Sequence, residues 1–431
     1  SESHRARRLA YAAATRYADA GRVRTPMFAT VIAAITTLLT LAGLAYYLLA
    51  LWSARSFLRR PRFPSGFAPP VSILKPLHGA GPGMLEAFAS HCRQNYPADF
   101  EILFGVSTLD DSAVPLVHQL QADFPERSIR LVATPEVLGL NGKANNVAQL
   151  VPHARYEHLV IDDADIHVGP QYLSRILEPF GPLEGQPPAG LVTALYRGRT
   201  HGSLGSKLEA LGISTDFAPG VLTACFLDKR LRFGLGSTLA VTRFALDAIG
   251  GFAPISEYLA DDYQLGARIA HAGFRVELAN EVVETEVPAW SFPGFLEHQL
   301  RWARGMRDSR RAGYLGLLFS YGLAWAFLDL IASGASVTAF ALFSLALLVR
   351  VSLALGIGVG ILGDRQVLRD LWLILPRDLI ALALWAWSYA GDTVSWGNER
   401  LVLRKGKIVA RAEVPVPPVS VTAAEKRLGS Q

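Results

Sequence analysis

His158-Leu159-Val160-Ile161-Asp162-Asp163-Ala164-Asp165 is the stretch on which the fold turns. A short strand-like run ends in a burst of carboxylates. Carboxylates at the C-terminal end of a strand sit where open α/β sheets bind their ligands. Outward from it, short apolar runs at 71–74, 101–106, 129–132 and 190–195 alternate with helical stretches at 84–93 and 112–124. That alternation predicts an α/β domain with a largely parallel sheet and no internal repeat.

On either side of this domain the chain is too apolar for water. Of 431 residues, 51% are hydrophobic and only 18% charged, and the mean hydropathy is +0.26. A soluble globular protein carries about 25% charged residues, so part of the length belongs in lipid. Residues 25–54 hold no charge, and about 20 such residues span a bilayer, so this segment reads as a transmembrane anchor. It is too long for a signal-peptide core and no cleavage pattern follows it. Arg22 and Arg24 flank one end and Arg55, Arg59, Arg60 and Arg62 the other, which places the C-terminal side in the cytoplasm. Arg5, Arg7, Arg8 and Arg16 weigh the other way.

Apolar character returns after Arg311. Residues 312–328 and 330–349 are uncharged on either side of Asp329, 351–363 follows Arg350, and 371–391 contains Pro376, Arg377 and Asp378. Two or three further spans are expected. Asp329 and Arg350 either mark sites within the membrane or snorkel from helix ends. The polar, strand-like stretch 396–407 suits the surface of the α/β domain, and the tail with Pro415, Pro417 and Pro418 reads as loose. The resulting divisions are a basic segment 1–24, an anchor 25–54, a cytosolic catalytic domain 55–311 with interfacial helices, membrane helices 312–391 and a tail 392–431.

Cys92 and Cys225 cannot build a disulfide framework, in keeping with a reducing compartment. Against 37 acidic residues stand 42 basic ones. The mild excess fits an anionic lipid or nucleotide better than nucleic acid. Within the α/β region, Asp163 and Asp165 have D-x-D spacing, suited to a Mg²⁺ or Mn²⁺ ion that bridges a diphosphate, although a solvated turn has the same look. Asp111 in Thr108-Leu109-Asp110-Asp111-Ser112 could bind a nucleobase or ribose, or cap the next helix. Lys143 in Gly139-Leu140-Asn141-Gly142-Lys143 leads into a helix as a phosphate-binding lysine would. The P-loop spacing is absent, and Gly79-Ala80-Gly81-Pro82-Gly83-Met84 lacks the third glycine of a dinucleotide fingerprint. Asp261 and Asp262 precede a helical stretch at 263–273, where one could cap while the other acts as a general base. His298-Gln299-Leu300-Arg301-Trp302 and the arginines after it read as an amphipathic interfacial helix.

Taken in order, these motifs resemble the family 2-type glycosyltransferases with a GT-A fold, and within them the ceramide glucosyltransferases. The likeness rests on 71–79 (VSILKPLHG), 142–146 (GKANN), 259–263 (LADDY), 299–302 (QLRW) and 392–396 (DTVSW), and runs from the first membrane helix to about Leu403. It implies an α/β GT-A catalytic domain joined to transmembrane helices. Asp111, Asp163 and Asp262 match the three family aspartates, with Asp262 as base and Asp165 as metal ligand. Lys143, Arg301 and Trp302 join Asp111 and Asp163 in binding the nucleotide sugar. His298 stands where the family pattern has Gln or Arg, so no catalytic role is carried to it. Asp165 departs from the eukaryotic ceramide enzymes, whose second motif reads Asp-Ser-Gly.

The implied reaction is inverting transfer of glucose from UDP-glucose to the primary hydroxyl of ceramide, assisted by Mn²⁺ or Mg²⁺. The implied setting is a bacterial inner membrane with the catalytic domain facing the cytoplasm and no obligate protein partner. Apolar stretches 221–227 and 288–296 would line the lipid's entrance. Competing expectations are transfer of N-acetylglucosamine or glucuronic acid to a hopanoid or other lipid, a processive polysaccharide synthase, and a membrane-anchored nucleotide-sugar-binding module without catalysis.

Overall fold

The computed structural model describes residues 27–60, 63, 66–396 and 399–411. The arginines of 1–24, Arg62, and Pro415, Pro417 and Pro418 lie outside the described residues. The chain divides into two compact units, one of residues 1–48 and 319–350, the other of 49–318 and 351–431.

The second unit is built on an eight-stranded sheet. Its strands are β1 (Val71–Pro76), β2 (Phe100–Val106), β3 (Ser128–Ala133), β4 (His158–Asp162), β5 (Ile166–His167), β6 (Ala189–Thr200), β7 (Thr238–Thr242) and β8 (Arg275–Val287), in the spatial order β3-β2-β1-β4-β7-β6-β8-β5. The first four are mutually parallel, and β6 and β8 are parallel. Strand β7 runs antiparallel to both its neighbours, as β5 does to β8. Parallel neighbours need a crossover. Helices Met84–Cys92, Val114–Asp123 and Gly142–Leu150 supply those after β1, β2 and β3. Covered on both faces, β1, β2 and β4 read as nearly unbroken buried runs, as such strands should.

The helix expected at 263–273 begins earlier, at Asp261, and runs to His271. Ala260 holds the capping position and makes no side-chain cap, so neither aspartate is the cap. Both lie in the first turn, where the positive end of the helix dipole favours carboxylates. Their side chains are therefore left to the site.

Among the described residues, three helices are long and apolar enough to cross a membrane: Met27–Leu58, Leu204–Leu227 and Val337–Val359. A fourth is added if the bent pair Arg311–Ser320 and Gly322–Ala332 is one span. Leu204–Leu227 was not expected as a span. Its apolar window is 67% buried, and its first half packs on β6 and on helix Phe292–Ser309, which makes it a domain helix. Within 371–391 the α-helix is only Ile374–Trp387, 14 residues, too short to span. Its polar start is bound to the domain: Arg377 Nε donates to Leu208 O (3.1 Å) and Nη2 to Gln299 Oε1 (3.1 Å).

In the first unit Asp329 is buried and accepts hydrogen bonds from Thr36 and Thr37, both at 2.8 Å. Arg350 is buried too, with its guanidinium over the Tyr47 ring at 5.8 Å, within cation–π reach. Neither snorkels; each is satisfied within helix packing. Gly43 faces Gly322 backbone to backbone, with no room for a Cβ. Small residues permit such close approach between apolar helices. Gly43→Val should lower the thermal midpoint of the detergent-solubilised protein, at a cost of about 1–3 kcal/mol. An unchanged melt would show that this contact does not hold the unit together.

Candidate active site

The end of β4 separates a structural aspartate from two available ones. Asp162 is fully buried, accepts from Tyr172 Oη (2.8 Å) and Thr238 Oγ1 (2.9 Å), and pairs with His91 Nε2 at 2.9 Å. Burial alone would raise its pKa, but the bonds from His91 and Tyr172 and the charge of Lys75 hold it below the usual range. Lys75 on β1 is also fully buried and donates to the main-chain oxygen of Asp163 at 3.0 Å. Burial lowers its pKa, while Asp162, Asp165 and Asp163 act in the opposite direction. Sequence reading missed Lys75 as a site residue, although a lysine inside an apolar strand was the available signal.

Asp163 and Asp165 lie just beyond this network. Lys143 Nζ is 2.5 Å from Asp163 Oδ1 and donates to Gly236 O at 3.3 Å. Burial works against the lysine's charge, but Asp163, Asp261 and Asp262 outweigh it and hold the pKa above normal. Asn141 explains its placement. The Asn141 side chain caps the lysine helix by accepting from Ala144 N (2.9 Å), and its amide donates to Tyr258 O (2.7 Å). One residue thus ties the lysine loop to the segment that leads into Asp261.

Asp262 stands opposite Gly236, where an added Cβ would come within 3.1 Å of Oδ2. Its Oδ1 accepts from the Tyr263 amide at 2.7 Å. Burial and then the charge of Asp261 push its pKa up to about 6. Asp165 is pushed up to about 6 as well, by burial and by Asp163, although Thr285 Oγ1 donates to its Oδ2 at 2.9 Å. The structure therefore brings Asp163, Lys143, Asp261 and Asp262 into one electrostatic neighbourhood, with Asp165 beside Asp163.

Asp111 has a different setting. Its carboxylate accepts from Gly79 N (2.9 and 3.0 Å) and Ala113 N (2.8 Å). It organises the loop after β1, where Gly79 has φ +73°, and begins the turn into helix Val114–Asp123. Ala113, not Asp111, is at the cap itself. Arg301 and Trp302 lie in helix Phe292–Ser309, capped by Ser291 through Gly294 N (3.2 Å). The Arg301 guanidinium sits over the Trp396 ring at 5.7 Å. Burial lowers its pKa, and Glu209 and Asp163 draw it back up. Trp302 packs on Phe217 (6.1 Å between ring centres) and on His298 (5.6 Å). His298 stacks on Trp290 (5.0 Å) and bonds Glu209 Oε2 at 3.0 Å, a packing role.

A second cluster was also missed. Glu286 is buried and takes His201 Nε2 at 2.6 Å and His167 Nε2 at 2.7 Å. Its residues are far apart in sequence and meet through the pairing of β8 with β5 and with β6. Among the described residues no three His, Cys, Asp or Glu side chains converge as a metal cage. What Asp163 and Asp165 offer is a pair of crowded carboxylates. Mg²⁺ and similar ions are commonly held by one or two carboxylates together with substrate phosphates, so the donor set fits such an ion.

These positions separate stability from binding. Asp162→Ala strands buried donors and should destabilise by at least about 3 kcal/mol. Asp163→Asn and Asp165→Asn should leave the melting temperature within a few degrees while abolishing metal-dependent nucleotide binding. Equal destabilisation in all three variants would contradict that division.

Residues 35–409 match the model of the family described as Glycosyl transferase family 21. The protein is 24% identical over 277 residues to "Ceramide glucosyltransferase 3" of Caenorhabditis elegans, covering 63% of this chain and 59% of that protein. To "Ceramide glucosyltransferase 1" of the same organism it is 24% identical over 241 residues, 56% of this chain and 50% of that one. The matches thus span between half and three-fifths of these relatives' length. Among solved structures, the mannosyltransferase PcManGT of Pyrobaculum calidifontis, in complex with GDP-Man and Mn2+, superposes with a TM-score of 0.50 at 20% identity, covering 82% of this chain and 98% of that one. That likeness is one of fold, and the fold is GT-A. With the family model matched across most of its length, the chain belongs to glycosyl transferase family 21.

Proposed function

We propose that the protein is an inverting glycosyltransferase that moves glucose from UDP-glucose to the primary hydroxyl of ceramide at the cytoplasmic face of a bacterial inner membrane. The observation that carries this reading is the Lys143–Asp163 pair at 2.5 Å, with Asp262 held opposite Gly236, whose carbonyl Lys143 also bonds. It joins a cation suited to a leaving diphosphate to a carboxylate of raised proton affinity.

The chemistry follows from those groups. Asp262 accepts the acceptor's hydroxyl proton while that oxygen bonds to the anomeric carbon and the bond from that carbon to the diphosphate oxygen breaks. Lys143 and Arg301 stabilise the negative charge of the departing UDP. Asp163 orients the donor sugar or ribose, and Asp111 shapes the loop that borders the nucleotide. A divalent ion on Asp165, with Asp163 adjoining, supplies further neutralisation of the diphosphate when bound. Trp302 walls the acceptor side. Leu204, Leu227 and Phe292 are exposed apolar residues of the α/β unit that suit a surface meeting a lipid substrate.

UDP release by the purified protein in detergent tests the reading. UDP-glucose, UDP-N-acetylglucosamine and UDP-glucuronic acid are crossed with ceramide and a hopanoid polyol, with and without Mn²⁺. Ceramide-dependent release from UDP-glucose is the expected result. Release only with another pair replaces the substrates, and UDP binding without turnover in any pair points to a binding module. Asp262→Asn should lower kcat by at least ~10²–10⁴.

The pH profile has a defined sign. A carboxylate base works when ionised, so a pKa raised to about 6 removes the active form as pH falls through that value. The kcat/KM should be flat near neutrality and fall about tenfold per pH unit on the acid side. A flat profile down to pH 5 would remove Asp262 as base.

A further inference from the structure

The chain ends its described part in a three-stranded antiparallel sheet, β9 (Thr393–Trp396), β10 (Glu399–Arg404) and β11 (Lys407–Arg411). It has a small core of its own, Val394, Leu401, Leu403 and Ile408, and against that core pack Leu140, Leu259 and Trp396. Leu140 belongs to the loop that carries Lys143, and Leu259 stands three residues before Asp262. The backbone repeats the connection. Leu259 N donates to Gly406 O (3.1 Å), Ile408 N donates to Glu257 O (2.7 Å), and Tyr258 bridges Lys407.

The same sheet is fastened to the helix that carries Arg301. Gly406 N donates to Asp308 Oδ2 at 3.2 Å, Arg307 Nη2 pairs with Asp392 at 2.7 Å, and Arg304 bonds Thr393 O. On that helix Arg301 behaves unlike Arg304 and Arg307. Arg307 is ion-paired and Arg304 bonds a main-chain oxygen, whereas Arg301 makes no ion pair among the described residues and its guanidinium lies over Trp396. A guanidinium held over an aromatic ring without an ion-pair partner keeps N–H groups available for a phosphate oxyanion.

We propose that the β9–β11 sheet is a structural part of the nucleotide-sugar site, and that Trp396 is the positioning residue that holds the Arg301 guanidinium toward the donor's diphosphate. The proposal rests on the functional reading above and adds to it a residue nearly a hundred positions downstream of Arg301. Trp396 touches no reacting atom; it acts through Arg301. A purely structural tryptophan would support the sheet equally well whether or not Arg301 were present.

The full chain in detergent allows a test that does not depend on which lipid is the acceptor. UDP affinity is measured by calorimetry with Mn²⁺ present, for wild type, Trp396→Ala, Trp396→Phe, Arg301→Ala and the Ala/Ala double variant, with thermal melts confirming that each is folded. Trp396→Ala should weaken UDP binding about 2- to 30-fold, the range of a cation–π contact. Trp396→Phe should recover most of it. In the Arg301→Ala background the tryptophan substitution should have no further effect. In turnover, Trp396→Ala should raise KM for the donor and leave KM for the acceptor unchanged. Full UDP affinity in Trp396→Ala, or additive losses in the double variant, would overturn the proposal while leaving the glycosyltransferase reading intact. Wild-type protein that binds no UDP would instead overturn that reading and the proposal with it.

Discussion

Mutual repulsion among carboxylates is the constraint on which the catalytic unit depends. Asp163, Asp165, Asp261 and Asp262 are drawn together from two distant segments, and burial makes the charges of Asp165, Asp261 and Asp262 harder to hold. Lys143 is the cation paired directly into the group, and Lys75 lies behind it, bound to the main chain of Asp163. The neighbourhood therefore favours protons and cations, and a metal–diphosphate complex brings the charge such a group lacks. The pressure of like charges and the chemistry proposed for the site have one physical origin.

The surrounding fold serves to hold those charges where repulsion would separate them. Asp162, facing the other way, is locked by His91, Tyr172 and Thr238 and anchors the turn from which Asp163 and Asp165 emerge. Asn141 couples the lysine loop to the Asp261 segment through Tyr258 O, and the C-terminal sheet closes on both. Segments far apart in sequence thus meet through side-chain bonds to the main chain and apolar packing as well as through the Lys143–Asp163 pair. The apolar helices of the other unit are held by different means, glycine contacts and satisfied buried polar groups such as Asp329.

Much of this was legible from residue order. Strand-end aspartates, a lysine at a helix start and uncharged runs of membrane length each leave a local signal, and the predicted strands fall within a few residues of the observed ones. What could not be read depends on tertiary contacts. Lys75 looked like one polar residue in an apolar strand, and only the sheet shows it beneath Asp163. The expected cap at Asp261 or Asp262 failed because capping depends on where the helix begins, and tertiary packing moved that start two residues upstream. Leu204–Leu227 and 371–391 show the same limit from the side of hydropathy. An apolar helix can be consumed by protein instead of lipid, and a buried hydrogen-bonding residue such as Arg377 ties a nominal span to the domain.

The single displacement proposed for Asp262 inverts the anomeric carbon. Proton NMR of the glycolipid formed from the α-linked nucleotide sugar reads that configuration. A β-linked product, with the large coupling between the first two ring protons, is the expected result. An α-linked product would require two displacements or front-face attack, and would contradict the role given to Asp262.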